Sequence, residues 1–301
     1  MDQKYRIAVI GRDGQVSRSI ALLMGQCGHE VVVLARPEFD LRDRVKVIEA
    51  IGNAHPALVI NSAGYTAVDR AEDEPDMAWA VNAGGAEAAG VASAAIGVPI
   101  IHFSTDYVFG GTSATPYVET DTTGPANVYG ASKLEGERLI AATNPRHVIL
   151  RTSWVFSPYG NNFVKTILTL AASRPELSVV DDQRGNPTFA ADLASAVMAL
   201  VPRLVGDDRL PESYGVFHAA NSGATTWCGF ARAIMDEAKA RGAPHAPVRA
   251  IANKGHITKA RRPKFSMLST AKLERVHGIA LRSWDAALED CLDDLIGARR
   301  N

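Results

Sequence analysis

Residues 6–28 read RIAVIGRDGQVSRSIALLMGQCG and indicate the fold. Residues 7–10 form an apolar run, which is typical of a buried parallel strand. Gly11 and Gly14 follow it and precede a helical stretch that ends near Gly28. Glycines at such a turn let the backbone approach a pyrophosphate, which the free N–H groups of the helix N-terminus attract. The third glycine position of this pattern is Ser17, a residue still small enough for close packing of helix on strand.

The same alternation of apolar runs and helical stretches continues to residue 154. Further strands are predicted at 30–36, 57–64, 99–105 and 147–154, with helices at 42–54, 74–97 and 132–143. This rhythm predicts an α/β fold with a Rossmann-like, doubly wound parallel sheet. We therefore expect a nucleotide-binding domain at 1–154, to which later segments, roughly 190–220, return.

Beyond residue 154 the alternation loosens, and we expect a smaller, discontinuous substrate-binding lobe at 155–301. Predicted elements there are helices at 161–173, 190–204, 226–242 and 283–300 and a strand at 214–220. Ser283 is the expected N-cap of the last helix.

Composition excludes several classes of protein. The chain has 301 residues, 47% of them hydrophobic, and its net charge of −1 gives no basic face for a nucleic acid. Its three cysteines have no metal-ligand spacing, and no apolar run is long enough to span a membrane. We expect a cytoplasmic protein, because no signal peptide is evident.

The end of the second predicted strand bears on the choice of cofactor. An acidic residue there accepts a hydrogen bond from the ribose 2′-hydroxyl of NAD, whereas an arginine accommodates the 2′-phosphate of NADP. This sequence has Arg36 at that place, with Arg12 in the glycine turn to assist it. NADPH is therefore favoured, although an ordinary surface arginine is an equally good interpretation and NADH stays open. Asp40 and Leu41 are expected to border the adenine.

The stretch NVYGASKLEGE, which begins at Asn127, places Tyr129 and Lys133 four residues apart on one face of a helix. Such a pair is common by chance. The catalytic interpretation of this pair is strengthened by Ser104 and Thr105, which end the preceding predicted strand and so face the ligand crevice of a parallel sheet. A hydroxyl there can bind a substrate carbonyl while the tyrosine delivers a proton.

These residues resemble the extended short-chain dehydrogenase/reductase superfamily. Blocks such as NSAGYTAVDRAEDEPDMAWAVNA, STDYVFGG, PYVETDTTGPANVYGASKLEGE and DDQRGNPTF resemble its dTDP-4-dehydrorhamnose reductase family from Ile7 to about Phe189. The resemblance implies that a 4-keto dTDP-sugar is reduced to dTDP-L-rhamnose by hydride from NADPH, and it allows a homodimer. It also implies that Tyr129 is the general acid and that Lys133 binds the nicotinamide ribose and lowers the pKa of the phenol.

The resemblance also implies roles for matching positions. The catalytic set is Thr105, Tyr129 and Lys133. For the cofactor, the resemblance adds Gly11, Gln15, Val16, Ala63, Gly64, Tyr65, Tyr129 and Lys133 to the residues already named, which are Gly14, Arg36, Asp40 and Leu41. The substrate set is Thr66, Val68, Thr105, Asp106, Tyr107, Tyr129 and Trp154, where packing of Trp154 in the core is an equally good interpretation.

Alternatives stay open at this point. The sequence Thr105-Asp106-Tyr107 lacks the Asp-Glu pair of sugar-nucleotide dehydratases, which disfavours dehydration, but another sugar-nucleotide reductase or an epimerase fits the same scaffold. A non-catalytic dinucleotide-binding regulatory subunit is a third interpretation.

Some family members hold Mg²⁺ with carboxylates between subunits. Glu289, Asp290, Asp293 and Asp294 offer such groups, but acids on a terminal helix are usually solvated and no metal is assigned. Arg261 and Arg262 either neutralise a diphosphate or form a basic surface loop.

Overall fold

The computed structural model describes residues 3–206, 210–252 and 258–297. Its strands are β1 (Arg6–Ile10), β2 (Glu30–Leu34), β3 (Leu58–Asn61), β4 (Ile100–Thr105), β5 (His147–Thr152), β6 (Val155–Phe156), β7 (Leu177–Val180), β8 (Arg184–Gly185), β9 (Thr188–Phe189), β10 (Gly215–His218), β11 (Thr225–Thr226) and β12 (Val248–Ile251). Its α-helices are α1 (Gln15–Gln26), α2 (Arg44–Ala54), α3 (Val68–Ala71), α4 (Pro75–Trp79), α5 (Gly85–Ala95), α6 (Val128–Thr143), α7 (Phe163–Ala171), α8 (Ala190–Val205), α9 (Trp227–Ala240), α10 (Ala271–His277) and α11 (Trp284–Ile296).

One parallel sheet organises the molecule. Within the described ranges it has six strands in the order β2-β1-β3-β4-β5-β10. Strand β2 lies on one side of β1 and β3 lies on the other, so the direction in which strands are added to the sheet reverses at β1. The ligand crevice of such a fold lies at the carboxyl ends of β1 and β3. The predicted Rossmann-like, doubly wound sheet is confirmed.

Helices cover both faces of this sheet because its strands are apolar on both sides. On one face, α1 and α8 pack through residues such as Ile20, Met24 and Leu193. On the other face, α2, α5 and α6 pack through residues such as Ile51 and Ile140. The small residues of α5 let α6 lie close beside it, since a side chain at Gly90 would meet Thr143 at 2.3 Å.

A second apolar cluster holds the later part of the chain together. It joins α7, α9 and α11 around Phe156, Ile167, Phe230 and Leu288. A parallel pair of strands, β7 and β12, flanks α9. None of the described helices is long and apolar enough to cross a membrane.

The long helix predicted at 74–97 is present without a break from Pro75 to Ala95, but its middle turn is not α-helical. Residues Ala80–Gly84 form a π-helical turn between α4 and α5. Within it, the side chain of Asn82 accepts from the N–H of Tyr65 at 2.8 Å and donates to the Tyr65 carbonyl at 3.1 Å and to Ser132 Oγ at 3.0 Å. The wider turn thus lets one amide side chain join the loop after β3 to α6.

The last helix begins after Ser283, as predicted, but the Ser283 hydroxyl makes no capping hydrogen bond to its backbone. Residues 298–300 of the predicted helix lie outside the described residues.

Candidate active site

The predicted catalytic residues come together where β4 ends and α6 begins. Thr105 is the last residue of β4. Asn127 caps α6 by accepting from the N–H of Gly130 at 2.7 Å, which places Tyr129 in the first turn and Lys133 one turn later. The Thr105 hydroxyl lies close enough to the Tyr129 phenol to lower its pKa.

The phenol of Tyr129 is set up to stay protonated. Burial raises the pKa of Tyr129 to about 12, the Thr105 hydroxyl opposes the rise, and the charge of Asp106 adds to it. The ring of Tyr107 meets the Tyr129 ring edge-on at 5.8 Å. An acid with this pKa holds its proton at neutral pH and releases it to an oxygen on which negative charge develops.

Lys133 is buried, with 4% of its surface exposed. Its ammonium donates to the Phe103 carbonyl at 2.6 Å and lies 3.3 Å from His102 Nε2. Burial lowers the pKa of Lys133 to about 8, and the charge of Glu137 opposes that change. Burial and the neighbouring ammonium hold the pKa of His102 well below its ordinary value, so the imidazole is neutral. That Lys133 lowers the pKa of Tyr129 stays a prediction.

Two of the predicted substrate residues extend the site. Asp106 is 2% exposed, and its carboxyl accepts a hydrogen bond from the Thr105 hydroxyl at 3.0 Å. Burial raises the pKa of Asp106 to about 7, against the hydrogen bonds from Ser266 and Thr105. Burial also raises the pKa of Tyr107. The Ser104 hydroxyl, by contrast, donates to Glu137 at 2.5 Å and does not serve the crevice.

The glycine turn fits a dinucleotide pyrophosphate. Gly11 has a φ of +111°, and a side chain there would lie 2.5 Å from Ser17 Oγ, so the turn requires glycine. Ser17 packs tightly, with its Oγ 2.9 Å from Ser62 Oγ. Gly14 precedes α1 and supplies no side-chain cap, which leaves the first N–H groups of the helix, those of Gln15 and Val16 among them, without intrahelical partners.

The side chain of Gln15 has another task. Its Nε2 donates to the Val155 carbonyl at 3.2 Å, and its Oε1 accepts from Ser157 and Asn162 at 2.9 Å and 3.0 Å. Gln15 therefore connects the glycine turn to the segment after β5. Because these contacts occupy its side-chain amide, only its main-chain N–H is left for a phosphate group.

Arg36 is exposed just beyond β2, and Arg12 Nη2 donates to its carbonyl at 2.9 Å, so the two guanidinium-bearing residues are neighbours. Their positions fit an anion next to the adenosine ribose. Asp40 forms an ion pair with Arg42, which lowers the pKa of Asp40 to about 2. Leu41 is buried against Gly85 of α5.

The loop after β3 forms the other side of the crevice. A side chain at Gly64 would lie 3.1 Å from Asn82 Oδ1 and 3.9 Å from Lys133 Nζ, so the loop backbone approaches the catalytic lysine closely. Ala63 lies beside Gly11. The Tyr65 hydroxyl donates to Glu74 at 2.8 Å. Thr66 is exposed, and Val68 begins α3.

Trp154 lies at the junction of the two parts of the chain. It has a φ of +46°, and its indole stacks on Trp227 with ring centres 3.7 Å apart. Gly185 also packs against this half-buried indole, since a side chain there would lie 2.6 Å from the ring. Arg262 pairs with Asp69 at 2.6 Å and so ties the segment before Pro263 to α3.

Several supporting residues were missed in the sequence. Asn82 positions the β3 loop, and Ser266 lowers the pKa of Asp106 from a distant segment. Glu137 accepts two hydrogen bonds from Arg151, at 2.7 Å and 2.9 Å, beneath the catalytic helix. A signal existed for Glu137, which lies four residues after Lys133 and hence on the same helix face.

Comparisons with known proteins agree with this geometry. The family model described as the RmlD substrate binding domain matches residues 5–296. The dTDP-4-dehydrorhamnose reductase of Sinorhizobium fredii is 45% identical over 283 residues, which cover 93% of this chain and 94% of the relative. The enzyme of the same name from Aggregatibacter actinomycetemcomitans is 40% identical over 95% of this chain and 97% of its own length.

Solved structures give the same result. The crystal structure of dTDP-4-dehydrorhamnose reductase from Bacillus anthracis in complex with NADP superimposes with a TM-score of 0.89 and 32% identity, covering 97% of this chain and all of that one. The chain therefore belongs to the RmlD family, which it shares with these dTDP-4-dehydrorhamnose reductases.

Proposed function

We propose that this protein reduces the 4-keto group of dTDP-4-dehydrorhamnose to give dTDP-L-rhamnose, with NADPH as the reductant. The observation that carries the proposal is that Thr105, the last residue of β4, lies beside the phenol of Tyr129 in the first turn of α6, with Lys133 one helical turn later. The names of the similar enzymes supply the substrate. The NADP-bound relative and the exposed pair of Arg12 and Arg36 support the cofactor.

The residues of the chain supply positioning and a proton. When bound, the nicotinamide supplies the hydride that reaches C4 of the sugar. The Tyr129 phenol gives its proton to the C4 oxygen of the sugar, and the Thr105 hydroxyl donates a hydrogen bond to that oxygen. Lys133, whose ammonium lies close to the Gly64 backbone, holds the nicotinamide ribose.

The remaining site assignments belong to the same proposal. The cofactor lies along Gly11, Gly14, Gln15, Val16, Arg36, Asp40, Leu41, Ala63, Gly64 and Tyr65. The sugar nucleotide lies on the side of Thr66, Val68, Asp106, Tyr107 and Trp154. The division into a nucleotide-binding domain at 1–154 and a substrate lobe at 155–301 is supported by α8 and β10, which rejoin the first domain.

The experiment is a paired assay of turnover and binding. Wild-type protein mixed with NADPH and dTDP-4-dehydrorhamnose is expected to consume the absorbance of the reduced nicotinamide. Tyr129→Phe is expected to lower kcat by about 10²-fold or more, because the proton donor is lost, while NADPH binding measured by calorimetry persists.

Tyr5→Phe is the matched control, since the Tyr5 hydroxyl donates only to Gln3 near the chain start. Its kcat is expected to equal that of the wild type. A wild type that binds NADPH but oxidises it with no ketosugar nucleotide contradicts the proposal and favours a regulatory dinucleotide-binding protein.

A further inference from the structure

The imidazole ring of His102 has a single polar contact in the described part of the chain. His102 lies in the middle of β4 and is 1% exposed. Its Nε2 lies 3.3 Å from Lys133 Nζ, whereas its Nδ1 is buried without a hydrogen-bond partner among residues 3–206, 210–252 and 258–297. A buried polar atom without a partner lowers stability, and an apolar side chain in this apolar strand avoids that loss. The contact with Lys133 is therefore the feature that explains an imidazole at this position.

The ammonium of Lys133 is held from one side. It donates to the Phe103 carbonyl at 2.6 Å and to His102 Nε2, and both acceptors belong to β4. Within the described ranges the Lys133 side chain makes these two hydrogen bonds and no other. The three N–H groups of an ammonium are spread tetrahedrally, so two fixed hydrogen bonds also fix the direction of the third N–H. With one acceptor alone, the ammonium can turn about that single hydrogen bond.

The third N–H of Lys133 is left for a ligand in the crevice. The loop after β3 comes close to the nitrogen there, since a side chain at Gly64 would lie 3.9 Å from Lys133 Nζ. Glycine at this position keeps the approach to the ammonium free of a side chain.

A second contact keeps the strand and the helix in register around this lysine. Ser104 follows His102 by two residues and so shares its face of β4. The Ser104 hydroxyl donates to Glu137 of α6, one helical turn after Lys133. The two contacts repeat with the periods of a strand and a helix, so His102 and Lys133 face each other by the geometry of both elements.

The contact with the lysine determines the tautomer of the ring. An ammonium only donates hydrogen bonds, so Nε2 of His102 accepts one and the ring proton is on Nδ1. A neutral imidazole of this kind leaves the positive charge of Lys133 for the ligand. A carboxylate at the same position would form an ion pair with the ammonium and weaken its attraction for another oxygen.

We propose that His102 is a positioning residue, which accepts a hydrogen bond from Lys133 and so directs the remaining N–H of the ammonium to the hydroxyl groups of the nicotinamide ribose. The inference rests on the proposed function and deepens it, since it names the side chain that orients the ribose-binding lysine.

The first test observes the ring directly, without cofactor or substrate. Nitrogen-15 NMR of protein labelled in histidine distinguishes a protonated ring nitrogen from an unprotonated one, and the His102 signals are assigned by their loss in His102→Gln. We expect a proton on Nδ1 and none on Nε2 at neutral pH. In Lys133→Met the Nε2 signal is expected to shift, because its donor is gone. A proton on Nε2 of the wild type, or an Nε2 signal that Lys133→Met leaves in place, overturns the proposal.

The second test is the affinity for NADPH, measured by calorimetry. His102→Leu removes the acceptor at a similar volume, and we expect it to weaken binding about tenfold, the effect of one lost hydrogen bond to a charged group. His102→Gln keeps an acceptor near the place of Nε2 and should recover most of that loss. Equal affinity of His102→Leu and wild type contradicts the proposal, as does the same loss in both His102 variants.

His277→Leu is the matched control. His277 of α10 is also fully buried, and its ring packs edge-on against Phe217 with ring centres 4.8 Å apart. Its replacement tests whether the loss of any buried imidazole weakens NADPH binding, and the affinity is expected to equal that of the wild type.

A double-variant cycle separates positioning from packing. If His102 acts through Lys133, His102→Leu has no further effect on NADPH affinity in a Lys133→Met background. A role in packing gives the same loss in both backgrounds, and that result overturns the proposal. Urea transitions show whether each variant is folded, and should His102→Leu fail to fold, the ring NMR of wild type and Lys133→Met decides. These measurements need no ketosugar nucleotide, so an absence of turnover overturns the proposed function while they still decide the role of His102.

Discussion

At the residue scale, Lys133 shows that the site is maintained at a cost in stability. Its pKa in the folded protein, about 8, lies below the ordinary value of 10.5, so the fold disfavours the charged form. The loss in the free energy of unfolding is greatest below pH 8. It becomes smaller as the pH rises toward the pKa of this lysine in the unfolded chain, because between the two pKa values only the unfolded chain binds the proton.

Replacing this lysine by an apolar side chain is therefore expected to stabilise the protein. Lys133→Met should raise the free energy of unfolding at pH 7 by about 2 kcal/mol, once the lost hydrogen bond to Phe103 is subtracted from the desolvation cost. The gain should shrink at about pH 9.5, and urea unfolding at both pH values measures it. Lys46→Met is the control, since that side chain is mostly exposed, and an equal gain there contradicts the reasoning.

At the element scale, a buried ion pair fixes the catalytic helix to the sheet. Glu137 of α6 binds Arg151 of β5 and Ser104 of β4, and the two charged side chains are 4% and 5% exposed. Because Ser104 directly precedes Thr105, the same contact sets the distance between the helix that carries Tyr129 and the strand end that carries Thr105.

Removing one partner of this pair leaves the other charge buried. Glu137→Ala is expected to lower the free energy of unfolding by about 3–5 kcal/mol. The double variant Glu137→Met with Arg151→Leu should recover most of that loss, since no unpaired charge then remains. Urea midpoints measure both. Glu135→Ala removes a pair with Arg138 on the exposed side of α6 and should change little; a comparable loss there refutes the assignment.

The elements also show how far the sequence can be interpreted. The periodicity of apolar runs predicted β1 to β5 and most helices, because strands covered on both faces are continuous in hydrophobicity. It could not reveal the π-helical turn, since that turn depends on Asn82 reaching Tyr65 and Ser132, and these contacts join three separate segments. The effect of Ser266 on the pKa of Asp106 could not be predicted either, because Ser266 is 160 residues further along the chain.

At the scale of the whole molecule, one buried side chain joins three segments of the later part of the chain, and one of these, at Leu268, forms a β-bridge with Tyr117 of the first domain. Asn186 is buried and donates to the Gly223 carbonyl at 2.6 Å, while its Oδ1 accepts from the N–H of Leu268 at 2.9 Å. Three distant segments therefore meet at one amide. The sequence did not predict this junction, because nothing local identifies the partners of Asn186.

Asn186→Ala should leave the buried N–H of Leu268 unpaired and remove the hydrogen bond to the Gly223 carbonyl. We expect a loss of roughly 3 kcal/mol in the free energy of unfolding. We also expect the far-ultraviolet and tryptophan signals to separate in urea, since the second cluster can then open before the sheet. Asn53→Ala, at an exposed position of α2, is the control. Coincident, unshifted transitions in Asn186→Ala contradict a linking role.

The stacked indoles of Trp154 and Trp227 have an optical consequence. The centres of the two indole rings are 3.7 Å apart and their planes are within 7° of parallel, so the two chromophores share their electronic excitation. Exciton coupling of this kind gives a pair of circular dichroism bands of opposite sign, which neither ring produces alone. Because one ring follows β5 and the other begins α9, the couplet reports the distance between the two halves of the chain, without any added label.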